Sequence, residues 1–275
     1  MKAILIDITR CNGCFNCQIA CKDEHVDNDW SPYAKPQPDM GHFWMHVNEV
    51  ERGVVPKVKV SYIPKLCMQC ENPPCEKVAR DGAVYRRKDG IVIIDPKKSK
   101  GQRVILESCP YGSIFWNEEL DIPQKCTFCV HLLDQGWKEP RCVEACCTGA
   151  MIFGEYDQLK EIINKRKAEI LNPEFSLKPR VYYIGLPKRF VAGTVLCKKI
   201  GEPLENAKIT LSNLSTQESI TTQADNYGDF EFEGLEPGVK FSLLIKRTGY
   251  QNKLIEPIHT EKDVYLGEIF LELKE

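Results

Sequence analysis

Cys11, Cys14, Cys17 and Cys21 stand in the spacing C-x2-C-x2-C-x3-C near the start of the chain, and few folds accommodate such a run. Three thiolates in one tight loop can cap three iron corners of a [4Fe–4S] cubane. The fourth, at the start of the following helix, points away toward a neighbouring cluster. Three more groups follow: Cys67, Cys70 and Cys75 around Pro73-Pro74; Cys109 before Pro110; and Cys126, Cys129, Cys142 and Cys146, with Gly136 and Pro140 breaking the long loop.

The chain holds fourteen cysteines, all but Cys197 lying between Cys11 and Cys147. The opening Met-Lys-Ala-Ile-Leu-Ile-Asp reads as a strand, because Asp7 interrupts the apolar stretch and no cleavage site follows. A cytoplasmic location is therefore expected. Disulfides do not persist in that reducing compartment, so the thiols read as metal ligands. Zinc sites also use C-x2-C pairs, but the x2-x2-x3 run has cubane spacing and not the usual finger spacing.

With 37 basic and 39 acidic side chains, the net charge of −2 argues against nucleic acid as a partner. No apolar run approaches the ~20 residues that cross a bilayer. The cysteine-rich part has brief strands, such as Ile4–Ile8 and Ile91–Ile94, as expected where clusters replace much of an apolar core. Residues 23–57 read as an insertion, its first half a surface loop and its second, with Phe43 and Trp44, a candidate partner contact. Leu159, Ile162, Ile163 and Ile170 predict an amphipathic helix over 156–171, stopped by Asn172-Pro173. Residues 172–188 then lead away from it. From about Phe190, short alternating runs separated by turns predict an all-β sandwich: Val191–Leu196, Ala207–Ser212, Ser219–Gln223, Asp229–Glu233, Lys240–Lys246 and Val264–Leu273.

His25, His42, His46, His131 and His259 form no metal-binding set, although His42 and His46 have the spacing of one helix face. Lys125, beside Cys126, reads as a solvated side chain able to raise a cluster potential. Lys97, Lys98 and Lys100 read as solvent-facing. No catalytic triad, acid–base pair or phosphate loop is present, which puts the chemistry on the clusters.

The cysteine groups, with Leu66-Cys67-Met68-Gln69-Cys70-Glu71-Asn72-Pro73-Pro74-Cys75, Asp89-Gly90-Ile91-Val92, Ser108-Cys109-Pro110-Tyr111-Gly112 and Cys142-Val143-Glu144-Ala145-Cys146, resemble the iron–sulfur subunits of the dimethyl sulfoxide reductase family of molybdenum enzymes over about Met1 to Tyr183. Members usually carry four motifs and four clusters, the first motif pairing with the fourth and the second with the third. Here Ala79 replaces the last cysteine of the second motif, and Ser99, Gln102 and Ile105 replace the first three of the third. Those four positions would serve one cluster, so the resemblance implies that one whole site is lost. It assigns Cys11, Cys14, Cys17 and Cys146 to cluster 1, Cys126, Cys129, Cys142 and Cys21 to cluster 2, and Cys67, Cys70, Cys75 and Cys109 to cluster 3. Left over are Cys147, where the family usually has proline, and Cys197, which reads as a buried small apolar residue.

The resemblance further implies an α+β fold: a double bacterial-ferredoxin-like cluster domain over 1–183, then the sandwich over 184–275. Ala207-Lys208-Ile209-Thr210-Leu211 and Asp225-Asn226-Tyr227-Gly228-Asp229-Phe230 are similar to carboxypeptidase-regulatory or collagen-adhesin B-repeat sandwiches, of immunoglobulin-like or transthyretin-like type. The implied partner is a large catalytic subunit holding a molybdenum bis-pterin guanine dinucleotide, in a heterodimer, with no catalytic residue on this chain. One deleted cluster plus a sandwich is similar to the family's polyphenol hydroxytransferase branch. The alternatives are a subunit of an anaerobic respiratory reductase fed by a membrane anchor, and a free multi-cluster ferredoxin.

Overall fold

The computed structural model describes residues 1–274, in two compact units: Met1–Val50 with Ser61–Leu186, and Glu51–Val60 with Pro187–Glu275. The first is organised on a three-stranded sheet. Its central strand, Lys2–Asp7, pairs antiparallel with Met151–Glu155 and parallel with Val181–Ile184. The central strand is apolar on both faces, and side chains alternate across it. Ile4 and Ile6 enter the main core, which also contains Cys17, Cys21, Cys67, Cys70, Cys126 and Cys142. Ala3 and Leu5 face the other way, onto Leu159 and Ile163 of the helix Tyr156–Lys165.

That helix ends six residues before the predicted stop. Lys167 turns into the left-handed region, and the Ala168 amide donates back to Ile163. The chain then extends so that Glu169 bridges to Tyr183. Residues 181–184 accordingly return to the sheet and do not lead away from it. Trp44, expected as a partner contact, is only 2% exposed and packs 4.5 Å from the His25 ring. His42 and His46 share no helix: His42 lies in a loop at positive φ, and His46 opens the strand His46–Val54.

The second unit contains the expected sandwich. One sheet runs Asp229–Leu235, Arg189–Cys197, Val264–Leu271, and the other Ser219–Gln223, Lys208–Asn213, Lys240–Lys246, Lys253–His259. Its core holds Val191, Val195, Ile209, Leu211, Phe230, Leu243 and Ile245, and buries Cys197 to 2%. Lys253–His259 escaped prediction because it is mostly exposed and interrupted by Pro257, a residue confined to sheet edges. The turn Asp225–Gly228 is tied by Asp225 Oδ1, which accepts from the amides of Tyr227 and Asp229, each at 2.9 Å. Gly228 has φ +78°, and a Cβ there would lie 2.4 Å from the Val195 carbonyl oxygen. Gly228→Ala is therefore expected to destabilise the chain by about 1–3 kcal/mol, seen as a lower denaturant midpoint. An unchanged midpoint would show that the turn can move.

Candidate metal centres

Each cysteine group combines a tight loop with a short helix. Cys17 and Cys21 lie on Asn16–His25, Cys75 on Pro74–Val78, and Cys142 on Arg141–Glu144. Left-handed residues mark the loops: Phe15, Gln69, Phe128 and Cys129 all have φ between 48° and 61°. Such conformations persist where the surroundings impose them, and they cluster at ligand clamps. Gly13 is required in the first loop, since its φ is +69° and a Cβ would meet the Tyr62 ring at 2.6 Å. Its amide also donates to the Cys11 sulfur.

The thiols gather in three sets. Cys17 lies within electrostatic range of Cys11, Cys146 and Cys14. Cys142 senses Cys129, Cys21 and Cys126. Cys70 senses Cys67, Cys109 and Cys75, and these four line one cavity with Pro73, Tyr111 and Lys125. Packing of Asn16–His25 against Arg141–Glu144 brings the first and last groups together from opposite ends of the unit. The sets are strung in a row: Cys17 also lies near Cys21 and Cys142, and Cys126 near Cys67.

These residues fit [4Fe–4S] clusters. All twelve side chains are free thiols, and burial is the largest influence pushing most of them up, Cys17 and Cys70 to about 12 and Cys75 to about 11. Mutual repulsion adds to this, so four such sulfurs can ionise together only around a multivalent cation. Among the described residues no three cysteine, histidine or acidic side chains converge as ligands of a single ion do. A cubane instead spreads its four thiolates over four iron corners. Amides already point at the sulfurs: Phe128 N lies 3.4 Å from Cys126 Sγ, and those of Ser113 and Tyr111 donate to Cys109. At Cys146, burial is outweighed by the Thr148 hydroxyl, 3.7 Å away, and by three amides, which hold this thiol below its usual range.

Ala79, Ser99, Gln102 and Ile105, the four positions where the family pattern has cysteine, also lie close together. Ile105 is fully buried, in a small core with Ala83, Val84, Ile94 and Ile114, and Ala79 packs on its edge. Gln102 accepts from the Arg80 amide at 2.9 Å and donates to the Lys98 carbonyl at 2.7 Å. Ser99 is buried, while Lys97, Lys98 and Lys100 are exposed.

One residue near the sulfurs departs from the sequence reading. Lys125 is not solvated: it is 3% exposed, and its ammonium donates to the carbonyls of Val92 and Cys126. His25 is 1% exposed, with Nε2 3.9 Å from Cys129 Sγ. Burial, then the charge of His131, lowers its pKa to about 3, so the ring is neutral. Nδ1 has no partner among the described residues, and with a cluster thiolate at Cys129 a ring proton on Nε2 would face sulfur. The available signal was position, since His25 lies one helical turn beyond Cys21 and Lys125 adjoins Cys126. With iron bound, His25→Phe is expected to lower the potential of the site that includes Cys129, by removing a donor that stabilises added negative charge. An EPR-monitored redox titration measures this, and an unchanged or raised potential would count against the contact.

A family model described as "4Fe-4S dicluster domain" matches residues 58–156, and one described as "Carboxypeptidase regulatory-like domain" matches residues 191–265. The chain is 40% identical to the pyrogallol hydroxytransferase small subunit of Pelobacter acidigallici, over 86% of this chain and 87% of that protein. It is 36% identical to a tetrathionate reductase subunit of Salmonella typhimurium, over 69% of this chain and 74% of that one. It is 32% identical to a subunit of the anaerobic dimethyl sulfoxide reductase of Escherichia coli, over 63% of this chain and 86% of that one.

Proposed function

The chain belongs to the iron–sulfur subunits of the dimethyl sulfoxide reductase family of molybdenum enzymes, and from that premise we propose that it carries three [4Fe–4S] clusters for a pyrogallol–phloroglucinol hydroxytransferase. Such subunits transfer electrons and leave substrate turnover to a larger partner. The observation that carries the more specific reading is the reach of the similarity. A match over 86% of the chain extends past residue 186 into the sandwich, whereas one over 63% need not. The proposed division of labour is a double-ferredoxin cluster domain over 1–183 and an accessory sandwich over 184–275.

A bound [4Fe–4S] cluster supplies one-electron redox chemistry, at a potential tuned by hydrogen bonds to sulfur, charge and exposure. The proposed ligands are Cys11, Cys14, Cys17 and Cys146 at the first site, Cys126, Cys129, Cys142 and Cys21 at the second, and Cys67, Cys70, Cys75 and Cys109 at the third. Around them the chain excludes water and aims amide donors at sulfur. Lys125 adds a buried positive charge beside the third site, which favours its more reduced, more negative state. The partner is a large subunit holding molybdenum bis-pterin guanine dinucleotide, in a cytoplasmic heterodimer. No helix among the described residues is long and apolar enough to cross a membrane.

Anaerobic co-purification tests the assignment. The expected result is a one-to-one complex with a molybdenum subunit that interconverts polyphenols, followed by chromatography of the products. A complex with a quinol-oxidising membrane anchor, inactive on polyphenols, would favour a respiratory reductase. A lone monomer would favour a free ferredoxin.

A further inference from the structure

Cys147 has no ligand role in the three-site scheme, yet it is not isolated. Its sulfur lies 3.7 Å from that of Cys14. Both residues are exposed, whereas Cys17 is buried and Cys11 and Cys146 are partly so. Two sulfurs bound to one tetrahedral metal ion, each about 2.3 Å from it, stand about 3.8 Å apart. Cys14 and Cys147 therefore already have the separation of two ligands that can serve the same iron corner. A cubane iron takes only one thiolate beside its three sulfides, so the two would alternate at that corner and not bind together.

We propose that Cys147 is a reserve ligand for the corner of the first site assigned to Cys14. This rests on the cluster scheme above and deepens it. With a cluster bound, the exchange would be a simple ligand substitution: Cys147 would give its proton to water and take the corner as a thiolate, and the departing Cys14 would take up a proton, with no electron transferred. The corner most open to water thus has a second thiolate at hand when its bond opens. Cys146 is not free for that role, because the scheme assigns it to another corner of the same site.

The test uses the complex with its large subunit, purified anaerobically, with iron, acid-labile sulfide and reduced-state EPR spin counted per chain. Cys14→Ala and Cys147→Ala are each expected to keep about twelve iron atoms, whereas Cys14→Ala/Cys147→Ala loses the first site and falls to about eight. Cys11→Ala, a corner of the same site whose neighbouring thiols all have corners of their own, is the comparison and is expected to behave like the double variant. Should Cys14→Ala lose as much iron as Cys11→Ala, or fail to accumulate as Cys11→Ala does, the reserve role is overturned. Wild-type protein without iron would instead overturn the cluster scheme itself.

Discussion

Cys109→Ala is expected to remove a complete cluster, taking iron from about twelve to about eight atoms per chain with an equal loss of sulfide. Cys109 is the single thiol of its group, and it reaches Cys67, Cys70 and Cys75 across the cavity that Lys125 also lines. Among the described residues no other thiol lines that cavity, so no substitute ligand is at hand. Metal binding at such sites is coupled to folding, so the variant is also expected to lose several kcal/mol of stability. Part of that loss comes from Lys125, whose buried charge would keep its two carbonyl partners but lose the anionic site beside it. Iron, sulfide and denaturant midpoint check this together. Retention of about twelve iron atoms would mean that Cys109 is not a ligand.

Ile105→Ala, only four residues away, is expected to have the opposite profile. Ile105 has no exposed surface and stands in a small core with Ala83, Val84, Ile94 and Ile114. Truncating it there leaves a cavity, which costs about 2–5 kcal/mol, while the iron content stays at about twelve. A midpoint close to wild type would show that the region is loosely packed. Loss of iron would show that the packing supports the third site directly. Together the two variants separate a position proposed to hold metal from one proposed to have lost it.

The local cysteine groups were legible in the sequence because ligand spacing is dictated by the dimensions of a cubane. The proposed pairing of distant groups rests on the family pattern. Ala79, Ser99, Gln102 and Ile105 were readable at motif positions, which is the ground for proposing one lost site. The Gln102 bridge between Arg80 and Lys98 was not, because it depends on how the loop closes. Strand positions in the sandwich followed from alternation, except at an exposed edge. The early end of the helix at Lys165 was hidden, because Ile170 continues the apolar period while the backbone has already turned at Lys167. Trp44 and Lys125 are buried against expectation for one reason: burial of a polar or aromatic side chain is set by what packs over it. Ordinary expectation places such residues at the surface.

The most direct test is metal and sulfide analysis, with spin-quantified EPR, of the anaerobically purified wild-type complex. About twelve iron atoms and about twelve sulfides on this chain, with signals from three [4Fe–4S] centres, are predicted. Zinc in place of iron, about sixteen iron atoms, or eight or fewer, would contradict three crossed sets of four thiolates.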